Sequence, residues 1–214
     1  MNTMQKDRIR LDGRVIVVTG GGSGIGRASS QLLAQRGAKV LVADVNEEGG
    51  KETVGLIDSA GGEAHFLRTD VSKEADVQTM VVEAVRRFGG LHGALNNAAV
   101  ESNTHAPLHE EPLEQWNRLV AVNQTGVFLC MKYQATHMLK NGGGSIVNIA
   151  SVAGMTAIPN LSAYVATKHA VVGLTRAASC DYAALGIRVN AIAPGAIETP
   201  MLRDALQDPQ ARDH

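Results

Sequence analysis

The feature that most constrains this chain is a regular alternation. Short, uninterrupted apolar runs are each followed by a longer segment with helical spacing. Arg14 to Thr19 (RVIVVT), Lys39 to Asp44 (KVLVAD), Ala64 to Thr69, Leu91 to Asn96, Ser145 to Ala150 (SIVNIA) and Ile187 to Ala193 (IRVNAIA) read as six strands. Runs that are apolar at consecutive positions fit strands buried on both faces. Between them, Gly24 to Arg36, Glu47 to Ala60, Lys73 to Phe88, Leu113 to Leu139 and Leu161 to Leu185 read as helices. Several are followed by glycine, the residue that helix C-termini favour. This order predicts an α/β fold: a doubly wound, Rossmann-like parallel sheet of strand order 3-2-1-4-5-6, helices on both faces. In that topology ligands bind beyond the carboxyl ends of the strands, where the order reverses between strands one and four.

The 214 residues fit one domain, 1–214, with 1–10 as a flexible tail and 200–214 as the start of a substrate lid. A net charge of −1 leaves no electrostatic footprint for nucleic acid or an anionic membrane. No apolar run reaches the ~20 residues of a membrane span. The N-terminus, MNTMQKDRIRLDG, lacks the apolar segment of a signal peptide. Cys130 and Cys180 cannot form a disulfide framework, and both read as buried, reduced thiols of a cytoplasmic protein.

Strand one runs into Thr19-Gly20-Gly21-Gly22-Ser23-Gly24-Ile25-Gly26. Glycines permit a sharp turn and a close approach of a pyrophosphate to the helix N-terminus, where free N–H groups and the dipole favour anions. The spacing is GxxxGxG, not the strict GxGxxG dinucleotide fingerprint, so the position of the loop carries more of the inference than its pattern. Asp44 closes strand two, eighteen positions after Gly26. A carboxylate there accepts hydrogen bonds from adenosine ribose hydroxyls and repels a 2′-phosphate; it also suits a turn or helix cap. With Arg27 inside the helix start, NAD is expected in preference to NADP.

Tyr164 and Lys168 are spaced i, i+4 near the start of a long helix, which places them on one face. Removing a proton from an alcohol needs a base, and free tyrosine, with a pKa near ~10, is too weakly acidic to serve at neutral pH. A neighbouring cation lowers that pKa. Ser151 emerges directly from strand five, where its hydroxyl can hold a substrate oxygen. The three converge on the sheet edge that carries the glycine turn.

Taken together these residues resemble the short-chain dehydrogenase/reductase family of the main type. The matching pieces are Thr19-Gly20 with Gly24 and Gly26, Asp44, Asp70-Val71, Asn96-Asn97-Ala98-Ala99, Asn123, Ser151, Tyr164-x-x-x-Lys168, and Pro194-Gly195 with Thr199. Ser151 and Tyr164 stand thirteen positions apart, as in the family, and the likeness runs from about Leu11 to Thr199. The resemblance implies an enzyme that moves a hydride between a nicotinamide cofactor and a secondary alcohol or ketone. It implies Tyr164 as acid/base, Lys168 as ribose ligand and modulator of the tyrosine pKa, and Ser151 as the group that orients substrate. Asn123, which by itself reads as a buried, helix-kinking polar residue, then resembles the asparagine that holds a relay water. Asp70 and Val71 are implied at the adenine. Asn97, Ala98 and Ala99 are implied along the cofactor, and Pro194, Gly195, Ile197 and Thr199 at the nicotinamide. Ile25 and Val45 join the cofactor set, and Ser23 occupies a position that carries Arg or Lys in many NADP-preferring members.

The chain departs from the family pattern after Thr199. It stops fifteen residues later, at His214, where members continue into a further helix and a seventh strand. One alternative expectation is therefore a truncated chain with weak or no cofactor binding and no catalysis. Another is a related isomerase or dehydratase with tightly held cofactor, disfavoured because those relatives carry a GxxGxxG turn. The helix 113–139 shows two apolar stripes, with Trp116, Val120, Val127 and Met131 on one and Leu119, Val122 and Leu129 on the other. With 161–185 it is expected to form a homodimer, as these helices do in the family. His105 and His109 flank Pro107, which disfavours a metal pair on a helix, so no metal site is expected.

Overall fold

The computed structural model describes residues 10–205 and contains one sheet of six parallel strands in the order β3-β2-β1-β4-β5-β6. The strands are β1 (Val15–Thr19), β2 (Lys39–Asp44), β3 (Glu63–Arg68), β4 (Gly93–Asn96), β5 (Gly144–Ile149) and β6 (Ile187–Ile192). The helices are α1 (Gly24–Gln35), α2 (Glu47–Ser59), α3 (Glu74–Phe88), α4 (Leu113–Leu119), α5 (Gly126–Lys140), α6 (Ser162–Tyr182) and α7 (Pro200–Ala205). The doubly wound reading holds. The expected N-terminal tail, apart from Arg10, and residues 206–214 of the lid lie outside the described residues.

The continuous apolar strands have a simple cause: successive side chains point to opposite faces, and both faces are covered. Val15, Val17 and Leu41 join α3, α5 and α6 in one buried cluster. Ile16, Val18, Val40 and Val42 join Ala34 of α1 and Ile57 of α2 in another. At the foot of β1, Val15 N–H finds no ladder partner and donates instead to His92 Nδ1 at 3.0 Å.

A buried polar network pins the two central crossovers together. Asn96 of β4 donates to Gln134 Oε1 (3.0 Å) and Asn148 Oδ1 (2.9 Å), Gln134 donates back to Asn96 (2.7 Å), and Asn148 donates to Thr175 (2.9 Å).

The structure corrects three details. The segment 113–140 is not one α-helix: α4 and α5 are joined by a π-helical turn, Val120–Thr125. Nor are its two apolar stripes free for a partner, because Val127 and Met131 of the first and Leu119 and Leu129 of the second are buried within this chain. The apolar side chains left exposed there are Leu113, Trp116, Phe128 and Leu139. Of the two cysteines, Cys130 is buried, its thiol pushed up to about 12 by burial, whereas Cys180 is exposed on α6.

Candidate active site

The glycine turn is built by close contact. Gly20 adopts φ +63°, and a Cβ there would stand 2.8 Å from the Ala98 backbone. At Gly26 a Cβ would meet the Gly20 carbonyl oxygen at 2.0 Å, so the first turn of α1 rests directly on the loop. Gly26 therefore supports the turn from beneath, while Gly20, Ser23, Gly24 and Ile25 line a cleft along the strand ends. That cleft holds about 330 Å³, within the ~300–1,000 Å³ typical of ligand sites.

Asp44 and Val45 line the same cleft. Asp44 Oδ2 accepts from Gly22 N–H at 2.8 Å and Oδ1 from Asn46 N–H at 2.8 Å. The carboxylate thus holds the loop and the turn, and each oxygen retains acceptor capacity. The cap of α2 is Asn46, which accepts from Gly49 N–H at 3.0 Å. Arg27 is committed elsewhere: its guanidinium donates to Thr53 at 3.1 Å and to the Gly22 carbonyl, and pairs with Glu52 at 2.6 Å.

Across the cleft, Thr19 Oγ1 accepts from both Asn97 N–H (3.0 Å) and Ala98 N–H (3.1 Å). The Asn97 amide returns two hydrogen bonds, to the Thr19 and Gly20 carbonyls at 3.1 and 3.0 Å. Asn97 thereby clamps the loop after β4 to the glycine turn as well as facing the cleft with Ala98 and Ala99. Asp70 and Val71 line the far end, where Asp70 Oδ1 accepts from the Ser72 amide and hydroxyl at 3.0 and 2.6 Å. Pro194, Gly195, Ile197 and Thr199 close the side nearest β6.

Ser151, Tyr164 and Lys168 meet at the centre of this wall. Ser151 Oγ accepts from Ala153 N–H at 3.1 Å, which orients its hydroxyl on the wall it shares with Tyr164. Lys168 Nζ lies 5.5 Å from the Tyr164 ring centroid and donates to the Ile149 carbonyl at 3.1 Å. In the chain by itself burial, not Lys168, is the largest influence on the tyrosine. Burial, reinforced by the charge of Glu101, pushes Tyr164 up to about 12, and the neighbouring Ser151 hydroxyl opposes only part of this. The same burial pulls Lys168 down to about 8. Both groups are held in their neutral direction because a low-dielectric site disfavours charge.

Asn123 is buried in the π-helical turn, and its amide is spent on Val100: Oδ1 accepts from Val100 N–H at 2.8 Å and Nδ2 donates to its carbonyl at 2.9 Å. It anchors the loop after β4 from behind, and its side chain is not on the cleft wall. The sequence places 101–112 at the substrate entrance without singling out Glu101, and it reads Val122 only as part of an apolar stripe; both are on that wall. Each lies next to a residue the motifs do mark, or within the loop that follows one, but no motif includes it.

The residues fit a nicotinamide dinucleotide: a glycine cradle too tight for side chains, backbone N–H groups at a helix start, and a carboxylate, Asp44, at the end of β2 on the same cleft. The comparisons with known proteins decide the matter. Residues 14–210 match the family model described as short chain dehydrogenase. The chain belongs to the short-chain dehydrogenase/reductase family. It is 51% identical over 199 residues to a 2,5-dichloro-2,5-cyclohexadiene-1,4-diol dehydrogenase of Sphingobium indicum, covering 92% of this chain and 78% of that one. It is 42% identical over 195 residues to the cyclohexanol dehydrogenase of an Acinetobacter species, covering 91% and 77%. Among solved structures, levodione reductase superposes with a TM-score of 0.91 at 40% identity, covering 95% of this chain and 81% of that one. The 3-ketoacyl-(acyl-carrier-protein) reductase of Brucella melitensis, complexed with NADH, gives 0.85 at 36% identity, covering 90% and 79%. As a short-chain dehydrogenase/reductase, the chain is an oxidoreductase that acts on small-molecule alcohols or ketones with a nicotinamide cofactor. Among the described residues no helix is long and apolar enough to cross a membrane.

Proposed function

We propose that this dehydrogenase oxidises a cyclic secondary alcohol to the ketone, or runs the reverse, with NAD as cofactor and Tyr164 as acid/base. The observation that carries the reading is a single cleft lined by Ser151, Tyr164 and Lys168 and, further along, by the glycine turn and Asp44. When bound, the nicotinamide supplies the acceptor or donor of the hydride. The residues of the chain handle the proton and the oxygen. Ser151 donates to the substrate oxygen and stabilises the charge that develops there. The Tyr164 oxygen takes the hydroxyl proton in oxidation and returns it in reduction. Lys168, when charged, stabilises the phenolate across the short space to the ring, and a positively charged cofactor acts in the same sense.

NAD is supported over NADP by Asp44, whose charge opposes a 2′-phosphate, and by Arg27, whose guanidinium is already paired with Glu52. A cyclic alcohol is supported by the names of the two relatives above and by the apolar side chains Val152, Met155 and Ile158 after Ser151. The reading extends to assembly: Leu113, Trp116, Phe128 and Leu139 leave an apolar surface on 113–139 that, with 161–185, suits a homodimer.

The test follows reduced-cofactor absorbance with cyclohexanol and with NAD or NADP. The reading expects turnover with NAD, a loss of at least about a hundredfold in Tyr164→Phe, and a dimer by light scattering. A Tyr164→Phe enzyme as fast as the wild type removes the tyrosine from the mechanism.

A further inference from the structure

Glu101 is a carboxyl group on the cleft wall that the reaction does not require. Its backbone is fixed on both sides. Val100 before it is held at N–H and carbonyl by Asn123 (2.8 and 2.9 Å), and the Glu101 carbonyl itself accepts from Arg118. The side chain lines the same cleft as Ser151, Tyr164 and Lys168. An ionised carboxylate offers roughly four acceptor sites, and the neighbouring Ser102 backbone favours its charged form only in part. It is near enough for its charge to act on both Tyr164 and Lys168.

That charge works against the acid/base, because a carboxylate beside a phenol makes the phenolate harder to form. Burial also costs Glu101 itself: despite Lys168, His105 and Arg118 nearby, its carboxyl is held above the usual carboxylate range. A buried acceptor that opposes the chemistry has a use when a ligand brings a donor to it. A hydroxyl from the ligand satisfies the spare acceptor sites and disperses the charge facing Tyr164.

We infer that Glu101 accepts a hydrogen bond from a second hydroxyl of the substrate, so that the site takes a diol or hydroxyketone in preference to the simple alcohol of the same ring. The inference rests on the alcohol–ketone reading above. Glu101 is a specificity-determining residue in this account, and neither the proton nor the hydride passes through it.

The experiment compares kcat/KM for cyclohexanol, cyclohexane-1,2-diol and cyclohexane-1,4-diol in the wild type, Glu101→Gln and Glu101→Leu. The wild type is expected to prefer at least one diol. Glu101→Leu lowers the ratio of that diol to cyclohexanol by about tenfold to a hundredfold, the size of one lost hydrogen bond to a charged acceptor. Glu101→Gln, which keeps a neutral acceptor and the same shape, loses a smaller part. The rate with cyclohexanol rises in both variants, because the charge opposing the phenolate is gone. A purely structural role predicts the opposite, a proportional fall for every substrate, and that result overturns the inference. So does a wild type that turns over cyclohexanol without preferring either diol. A wild type that turns over none of the three overturns the alcohol–ketone reading, and the inference with it.

Discussion

Lys168 Nζ donates a hydrogen bond to the carbonyl of Ile149, the last residue of β5, at 3.1 Å. The bond ties α6 to the strand end two residues before Ser151, so the lysine positions the loop that carries the serine as well as facing the tyrosine. It does so from a buried position, where a cation is disfavoured.

Replacing Lys168 by Met therefore separates stability from function. The folded-state pKa is about 8, below the ordinary lysine value. The unfolded chain binds the proton more tightly, and stability rises with pH from about 8 to the unfolded lysine value near ~10.4. Below that window the wild type carries the full cost of the buried cation. Lys168→Met is expected to be inactive. Its stability relative to the wild type falls by about 2 kcal/mol between pH 7 and pH 10. Denaturant melts at both pH values check this, and a pH-independent difference rules out a buried, charged Lys168.

His92 gives a prediction of its own. Nδ1 accepts from Val15 N–H, so the ring must be neutral with its proton on Nε2. Burial and the nearby Arg14 hold its pKa below the ordinary histidine value. That contribution is complete above about pH 6.5 and is lost as pH falls from there through the folded value. His92→Ala leaves the Val15 donor without its partner and is expected to cost about 1–3 kcal/mol at pH 8. The difference from the wild type shrinks at pH 5. An equal cost at both values excludes the histidine as the acceptor that matters.

The network of Asn96, Gln134, Asn148 and Thr175 predicts an asymmetric response. Gln134→Leu strips Asn96 of a donor and an acceptor partner within a buried site, at an expected cost of about 2–4 kcal/mol. Gln134→Glu keeps the acceptor, loses the donor and adds a buried charge, and is expected to be worse. If either variant unfolds within about 0.5 kcal/mol of the wild type, the network is not a stabilising unit.

Much of this was legible because the relevant residues obey local rules. Continuous apolar runs announce strands covered on both faces, and the crossovers that join them leave only a few strand orders. Ser151, Tyr164 and Asp44 read correctly onto one edge because each sits at a strand end or a fixed helical spacing. What was not legible depends on tertiary contact. The amphipathic pattern of 113–139 could not show that Leu129 and Met131 are buried within the same chain, or that the helix passes through a π turn at Asn123. Nor could it show Cys180 facing outward. The tyrosine pKa was read from a nearby cation, whereas burial is the larger effect and only the assembled site displays it. The segment 101–112 could be placed at the substrate entrance, but Glu101 could not be singled out within it, because nothing about one acidic residue in a polar loop says which way the loop folds.

The proposed preference for NAD can be tested at two charges on opposite sides of one loop. Asp44 accepts from Gly22 N–H and Asn46 N–H and lines the cleft, where the proposal puts the adenosine ribose. Arg27, the cation beside that loop, is neutralised by Glu52 at 2.6 Å. Asp44→Asn removes the repulsion while its amide oxygen can still accept from Gly22. The ratio of kcat/KM for NAD to that for NADP is expected to fall at least about tenfold, or ~1.4 kcal/mol. Adding Glu52→Gln releases Arg27 toward a 2′-phosphate and lowers the ratio further, mainly through the KM for NADP. Because Glu52 is exposed and the Arg27 guanidinium still bonds Thr53 and the Gly22 carbonyl, the second change is expected to be smaller than the first. A ratio unmoved by Asp44→Asn places cofactor discrimination outside this loop.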